Sequence, residues 1–250
     1  TVYNADGLMN VAELVNGGKT DINITLDKNI DLTGKSWTPI GTYYDNSYTG
    51  TFDGGGHTIT GLTVTTNDEY AGLFGYLGNF NNGAGTVKNV VMDGIQITCN
   101  HRLGYAGGVA GQTNSSATLT ACYATGNVTI EINPAKNIAG GGLVGMNAGS
   151  SLLACYATGN VTSTGSSTGY VHIGGLLGDT YTTVTACYWK NNHEQGIGYK
   201  KAGTSTEATK VDGTNVTWEN AVDAMNTALQ NAGSKWRYEL NGALPTLRKQ

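Results

Sequence analysis

Apolar residues come along this chain in short runs of four to six, separated by clusters of Gly, Asn and Ser. Ile22-Asn23-Ile24-Thr25-Leu26 and Thr58-Ile59-Thr60-Gly61-Leu62-Thr63-Val64 alternate as strands with one buried face do. Val109-Ala110, Thr118-Leu119-Thr120 and Val128-Thr129-Ile130 are further strand-like runs. Helical spacing occurs only near the two ends. Leu8, Val11, Ala12 and Val15 follow Asp6 at that spacing, and Gly17-Gly18 stop the run. Trp218, Ala221, Val222, Met225, Leu229 and Ala232 form a longer apolar stripe, with Thr217 as N-cap and Gly233 after the last turn.

The runs repeat. Gly72-Leu73-Phe74-Gly75, Gly108-Val109-Ala110-Gly111, Gly142-Leu143-Val144-Gly145 and Gly175-Leu176-Leu177-Gly178 end on glycines 36, 34 and 33 residues apart. A second motif keeps the same step. Ala121-Cys122-Tyr123-Ala124-Thr125-Gly126-Asn127-Val128 recurs unchanged at residues 154–161, and a third copy opens at Ala186-Cys187-Tyr188 before departing at Trp189. Asn89-Val90-Val91-Met92-Asp93-Gly94 is an earlier, diverged copy.

A unit this small cannot bury its own apolar side chains, so the units must stack. Each strand then pairs with its copy in the next unit, ~4.8 Å away, and like side chains form ladders. The expected fold is all-β: a parallel β-helix with repeats of about 33 residues, capped by short α-helices at the N- and C-terminal ends. Strand twist favours a right-handed coil. A single domain over residues 1–250 is expected. Residues 1–70 form the N-terminal cap and first coils, residues 71–190 the repeats, and residues 191–250 a C-terminal cap with a helix near 218–232.

Composition narrows the function classes. Glycine, at 38 of 250, is about twice its usual ~7%, and charged residues, at 13%, are about half their usual ~25%. That suits tight turns and a Thr, Ser and Asn surface. Net charge is −4, and Lys200-Lys201 and Arg248-Lys249 are the adjacent cationic pairs, too few for a nucleic-acid footprint. No apolar run reaches the ~18 residues of a membrane span. The chain begins at Thr1, which is compatible with a mature or trimmed secreted protein.

The Gly-Leu-x-Gly cores, the Cys-Tyr-Ala-Thr-Gly-Asn-Val segments and the run Gly50-Thr51-Phe52-Asp53-Gly54-Gly55-Gly56-His57-Thr58-Ile59 resemble the GLUG-motif repeats of bacterial surface proteins, adhesin-like and of the Bacteroides type. The resemblance covers residues 21–189, and Val109-Ala110 in the second unit departs from the motif. It implies an exported bacterial protein, secreted or on the extracellular face of an outer membrane, serving adhesion or display. Such repeats also accompany peptidase domains in some surface proteases. The family supplies no catalytic residues to carry over.

Cys122, Cys155 and Cys187 share one repeat position, and Cys99 lies outside that register. A disulfide or metal site is one reading. A ladder of small buried hydrophobes is favoured, because no second Cys or His stands at chelating spacing. The neighbouring tyrosines Tyr123, Tyr156 and Tyr188 pose a question of facing. Strict alternation puts Leu119, Ala121 and Tyr123 on one side, whereas Lys88, in the other set, should face water. Either the tyrosines point into the core, the slightly favoured reading, or a corner at Ala121 flips the parity and exposes a ladder suited to sugar rings. The Gly-Leu-Val-Gly columns raise a similar difficulty. Leu73, Val109, Leu143 and Leu176 adjoin Phe74, Ala110, Val144 and Leu177, both sets are apolar, and adjacent strand residues face opposite ways. One column is therefore expected to point outward beneath another segment of the chain.

Tyr43, Tyr44 and Tyr48, among Asp45, Asn46 and Ser47, make a candidate ligand patch or a loop folded over the first coil. His57, His101, His172 and His193 are scattered, and Asp53 before three glycines reads as a turn former because a phosphate loop would need a Lys-Ser/Thr ending. The leading expectation is a surface adhesion or glycan- or protein-binding module that is not an enzyme. It would need no cofactor or metal, would have host or microbial glycans or surface proteins as partners, and would bind no nucleic acid. The candidate ligand residues are Tyr43, Tyr44, Tyr48, Tyr123, Tyr156 and Tyr188. A β-helix polysaccharide lyase or glycosidase is the alternative, with Asp93, Glu131, Asp179, Arg102 and Lys136 as the few charged candidates in the repeats, none recurring in register. A structural spacer of a larger surface protein is the third reading.

Overall fold

The computed structural model describes residues 1–81, 83–114, 116–135 and 137–250. The chain winds as a parallel β-solenoid of about 5 turns with ~33-residue repeats, with one helix in each terminal region. One turn runs through the strands Ala110–Thr113, Thr118–Thr120, Tyr123–Ala135 and Asn137–Gly141, and the next begins at Val144–Asn147. Neighbouring turns pair in register, so apolar residues stack in columns. Phe74, Ala110, Val144, Leu177 and Ile197 form one column. Val87, Leu119 and Leu152 form a second, and Ile97, Val128 and Val161 a third.

Polar residues enter this interior only where the stacking satisfies them. Thr113, Asn147 and Thr180 are fully buried at one corner. Asn147 Nδ2 donates to Thr180 Oγ1 (3.0 Å), and Asn147 Oδ1 accepts from Thr113 Oγ1 (3.0 Å) and Ser150 Oγ (2.6 Å). The three cysteines at the shared repeat position are likewise inside, free and buried. Each thiol lies against the carbonyl two residues back at 3.3 Å, Cys122 on Thr120, Cys155 on Leu153 and Cys187 on Thr185.

Asn89, Ala121, Ala154 and Ala186, at one position of successive turns, adopt left-handed conformations with φ of 55°, 53°, 52° and 49°. This backbone costs a non-glycine residue roughly 1 kcal/mol or more, and here it makes a corner. The corner reverses the alternation, so Leu119 and Cys122 both face the core while Tyr123 faces away from it. The favoured reading, tyrosines in the core, fails; the corner at Ala121 does flip the parity, but it does not leave the rings exposed. They point outward, and the chain's own C-terminal segment covers them.

The two apolar columns of the Gly-Leu-Val-Gly motif both lie in the main core, which corrects the expectation that one points outward. Leu143 sits in the bend between the strands Asn137–Gly141 and Val144–Asn147, where the turning backbone suspends the strand alternation. The motif's last glycine has a different task. A Cβ at Gly145 would fall 2.5 Å from Ala106 N and 2.6 Å from Gly111 O, so the two strand columns that meet at the bend approach backbone to backbone.

Helix α1, Ala5–Asn16, starts at Asn4, whose Oδ1 accepts from Gly7 N (2.8 Å), and packs Leu8, Ala12 and Val15 with Ile24, Leu26 and Ile30 of the first turn. Helix α2, Trp218–Asn231, opens with a capping box formed by Thr217 and Asn220. Its buried stripe of Trp218, Ala221, Met225 and Leu229 lies on Tyr156, Tyr188 and their neighbours. The antiparallel pair Trp236–Glu239 and Thr246–Lys249 follows. Tyr238 OH donates to Ala154 O (2.8 Å), Tyr156 OH to Pro245 O (2.6 Å), and the Trp236 ring lies against Gly56. The C-terminal segment is thus a strap that runs down the flank from the last turn to the second.

Replacing Gly145 by Ala should lower stability by roughly 1–3 kcal/mol or more through overpacking against backbone that cannot yield. Gly242→Ala, where an added Cβ would meet no neighbouring atom, should lie within about 0.5 kcal/mol of wild type. Urea unfolding followed by circular dichroism checks both, and equal midpoints would disprove the close-approach account.

Candidate functional site

The two strand columns that meet at the glycine bend turn their outer faces towards one another. One carries Tyr70, Tyr105, Ala139 and His172 on successive turns. The other carries Tyr76, Gln112, Met146, Asp179 and Tyr199. Close approach of the backbones presses these residues into a strip of rings along the solenoid. Tyr70 meets Tyr76 edge-on at 5.1 Å and stacks on Tyr105 at 5.7 Å. Gln112 Nε2 and Asn114 Nδ2 donate to Tyr76 OH at 3.0 and 2.9 Å. Tyr105 OH lies 3.2 Å from Tyr170 OH. Burial pushes the Tyr70 and Tyr105 phenols well above their ordinary range, so both remain protonated hydrogen-bonding groups.

At the upper end, His172 is held between Tyr170 (4.4 Å, 13° between planes) and Tyr199 (4.9 Å, 12°), and Tyr181 leans on Tyr199 at 6.0 Å. At the lower end, Tyr43 meets Tyr70 at 6.0 Å and Tyr44 meets Tyr76 at 5.8 Å. The middle of the strip is buried, whereas Tyr43 (54%), Tyr199 (41%) and Tyr181 (36%) are open to solvent. Rings packed against neighbouring rings and exposed at the ends make contact points with little entropy left to lose.

The strip contains one buried charge. Asp179 is fully buried, and its Oδ1 lies 2.6 Å from His172 Nδ1, an ion-pair contact in which neither carboxylate oxygen receives a well-directed hydrogen bond. Burial raises the Asp179 carboxyl to about 6, against a partial lowering by His172. The previous turns place Gln112 and Met146 at this position, so the carboxylate is a departure from the repeat.

Of the six tyrosines singled out from the sequence, Tyr43 and Tyr44 stand at the lower end of the strip. Tyr48 lies behind them, buried, stacked on Phe74 at 5.3 Å with its OH donating to Ile22 O (2.8 Å). Tyr123, Tyr156 and Tyr188 form a separate ladder, Tyr123 on Tyr156 at 4.4 Å, buried under α2 and the terminal hairpin. Sequence reasoning missed Tyr70, Tyr76, Tyr105, Tyr170, Tyr181 and Tyr199. It also left His172 among the scattered histidines and Asp179 as an isolated carboxylate. Aligning the repeats on the last glycine of the motif puts Tyr76, Gln112, Met146 and Asp179 in one column. The facing column is obscured by an extra glycine, since Tyr70 precedes Leu73 by three residues and Tyr105 precedes Val109 by four. Asp53 is the turn former expected: its Oδ1 accepts from Gly55 N (3.0 Å) and Asn89 Nδ2 (2.9 Å). Asp93 accepts from Thr125 Oγ1 (2.7 Å) on the next turn, away from the strip, and Lys136 lies outside the described residues.

No family model matches the chain, and no curated protein matches it. A solved structure from Bacteroides ovatus, described as a "putative immunoglobulin A1 protease", matches over 99% of this chain and 91% of its own, with 15% identity and a TM-score of 0.52. At that identity the likeness shows the fold alone. It nevertheless overturns the expectation that the chain is not an enzyme, because the solenoid is shared with a protein described as a protease. Among the described residues, no helix is long and apolar enough to cross a membrane.

The raised Asp179 carboxyl predicts a particular pH dependence. The folded chain holds the Asp179 proton up to about pH 6, whereas the unfolded chain releases it near 3.8. Its contribution is therefore fully present below pH 3.8 and is lost as pH rises through about 6. Asp179→Asn should abolish that slope and stabilise the fold at pH 7 by roughly 1–3 kcal/mol. Urea titrations at pH 4, 5, 6 and 7 test this, and parallel profiles for both proteins would refute it.

Proposed function

We propose that the chain is a binding module of an exported bacterial protein of Bacteroides type, engaging host or microbial glycans or surface proteins through the aromatic strip. The observation that carries this reading is the set of exposed rings Tyr43, Tyr181 and Tyr199 at the ends of the strip, with Tyr43 against the buried Tyr70, Tyr199 stacked on the half-buried His172, and Tyr181 against Tyr199. Tyrosine is suited to such work because it offers a large amphipathic contact at low entropic cost. The low charge of the chain and its resemblance to GLUG repeats support a place at a bacterial surface.

A catalytic reading stands second, and two observations favour it. The solenoid is shared with the Bacteroides ovatus protein described as a protease. In addition, His172 has Nδ1 against a buried carboxylate, which leaves Nε2 as the ring atom open to a substrate. Both readings are tested by presenting the full chain with a glycan array, matrix proteins and immunoglobulin A1, and analysing each ligand for new products. Saturable binding is expected, weakened at least ten-fold in the Tyr181→Ser/Tyr199→Ser variant, as for loss of exposed aromatic anchors. Fragments that appear with the wild type and vanish in His172→Ala would establish the catalytic reading. Silence across the panel would leave a structural spacer.

A further inference from the structure

The strap covers one rung of the tyrosine ladder without placing a ring on it. Tyr123 and Tyr156 are each closed by rings from the C-terminal segment, Tyr238 lying 6.3 Å from Tyr123 and 5.9 Å from Tyr156, and Trp218 lying 5.0 Å from Tyr156. Tyr188, the third rung, has no ring partner among the described residues. Helix α2 and its C-cap instead present Ala224, Ala228 and Ala232, which rise at four-residue intervals along one face. Ala224 packs against the ladder's cluster, and beside it a cleft of about 940 Å³ remains between α2 and the last three turns. That is the size of a small-ligand site.

We propose that this cleft binds an uncharged oligosaccharide segment. Its floor is apolar, made by Leu153 and the edges of the largely buried Ala186 and Tyr188. Its walls carry short polar groups: hydroxyls from Thr185, Thr209 and Thr227, amides from Asn220 and Asn231, and the carboxylates of Glu207 and Asp223. A sugar ring presents the complementary surface, with C–H faces for the floor and hydroxyls for the walls. No Lys or Arg lines the cleft, so the two carboxylates disfavour uronates and other acidic sugars. Glu207 is already positioned, its Oε2 accepting from the Ala186 backbone N–H (3.3 Å). The site is separate from the aromatic strip and does not depend on it.

Calorimetry with cellohexaose, mannohexaose, chitohexaose and an oligogalacturonate of equal length tests the assignment. At least one neutral hexasaccharide should bind saturably, and the acidic oligomer at least ten-fold more weakly. Ala228→Phe, which fills the cleft, should weaken binding at least ten-fold, whereas Tyr181→Ser/Tyr199→Ser should leave it within two-fold. Amide shifts of the wild-type chain give a readout that needs no folded variant, and they should move at residues 207–209 and 220–231. Absence of neutral-sugar binding, equal binding of the acidic oligomer, or shifts confined to the strip would each overturn the proposal. The last result would leave surface binding through the strip intact.

Discussion

Successive turns of the solenoid are joined by backbone hydrogen bonds at a fixed register, as in Phe74 N to Val109 O (2.8 Å), Val109 N to Leu143 O (2.9 Å) and Leu143 N to Leu176 O (2.9 Å). Everything else in the molecule is subject to that register. Because strands lie ~4.8 Å apart, a side chain has the same position on the next turn as its nearest neighbour, and it must be compatible with a copy of itself. Leucine on valine, cysteine on cysteine and threonine on asparagine all meet that condition. The buried Thr113, Asn147 and Thr180 corner is tolerated only because each amide and hydroxyl finds its partner one turn away.

The same register amplifies local backbone choices. One left-handed residue would be a local strain, but a column of them at Asn89, Ala121, Ala154 and Ala186 makes a continuous edge. Beyond that edge the alternation is reversed, the cysteines enter the core and a row of tyrosines is turned outward. An outward row of large rings needs cover, and the C-terminal strap supplies it through Trp218, Met225, Leu229 and Tyr238. The strap does not match the ladder rung for rung, and the mismatch at Tyr188 is the origin of the cleft beneath α2.

Departures from the repeat coincide with the places where chemistry gathers. On the outer strip one column begins with Tyr70 on Tyr105 and the other with Tyr76 on Gln112, and they end with His172, Asp179 and Tyr199. A carboxylate that displaces Gln112 and Met146 in a buried column gains nothing for folding, since burial opposes its charge. Its presence beside a histidine held between two rings is the kind of local cost that functional surfaces carry.

By itself the sequence determined the solenoid, the ~33-residue step and the two helices, because stacking writes its periodicity into the chain and helix ends carry their own caps. Gly75, Gly111, Gly145 and Gly178 were legible as structural glycines, and Cys122, Cys155 and Cys187 as a column. The facing of Tyr123, Tyr156 and Tyr188 was not legible, since it turns on the φ of Ala121, Ala154 and Ala186, and alanine gives no sign of a left-handed backbone. Nor was the aromatic strip, whose two columns lie on different strands and meet only because the glycine bend folds one against the other. Tertiary structure alone decided which tyrosines are covered by the strap and which are exposed, because that depends on where a segment some 30 to 120 residues further along the chain comes to rest.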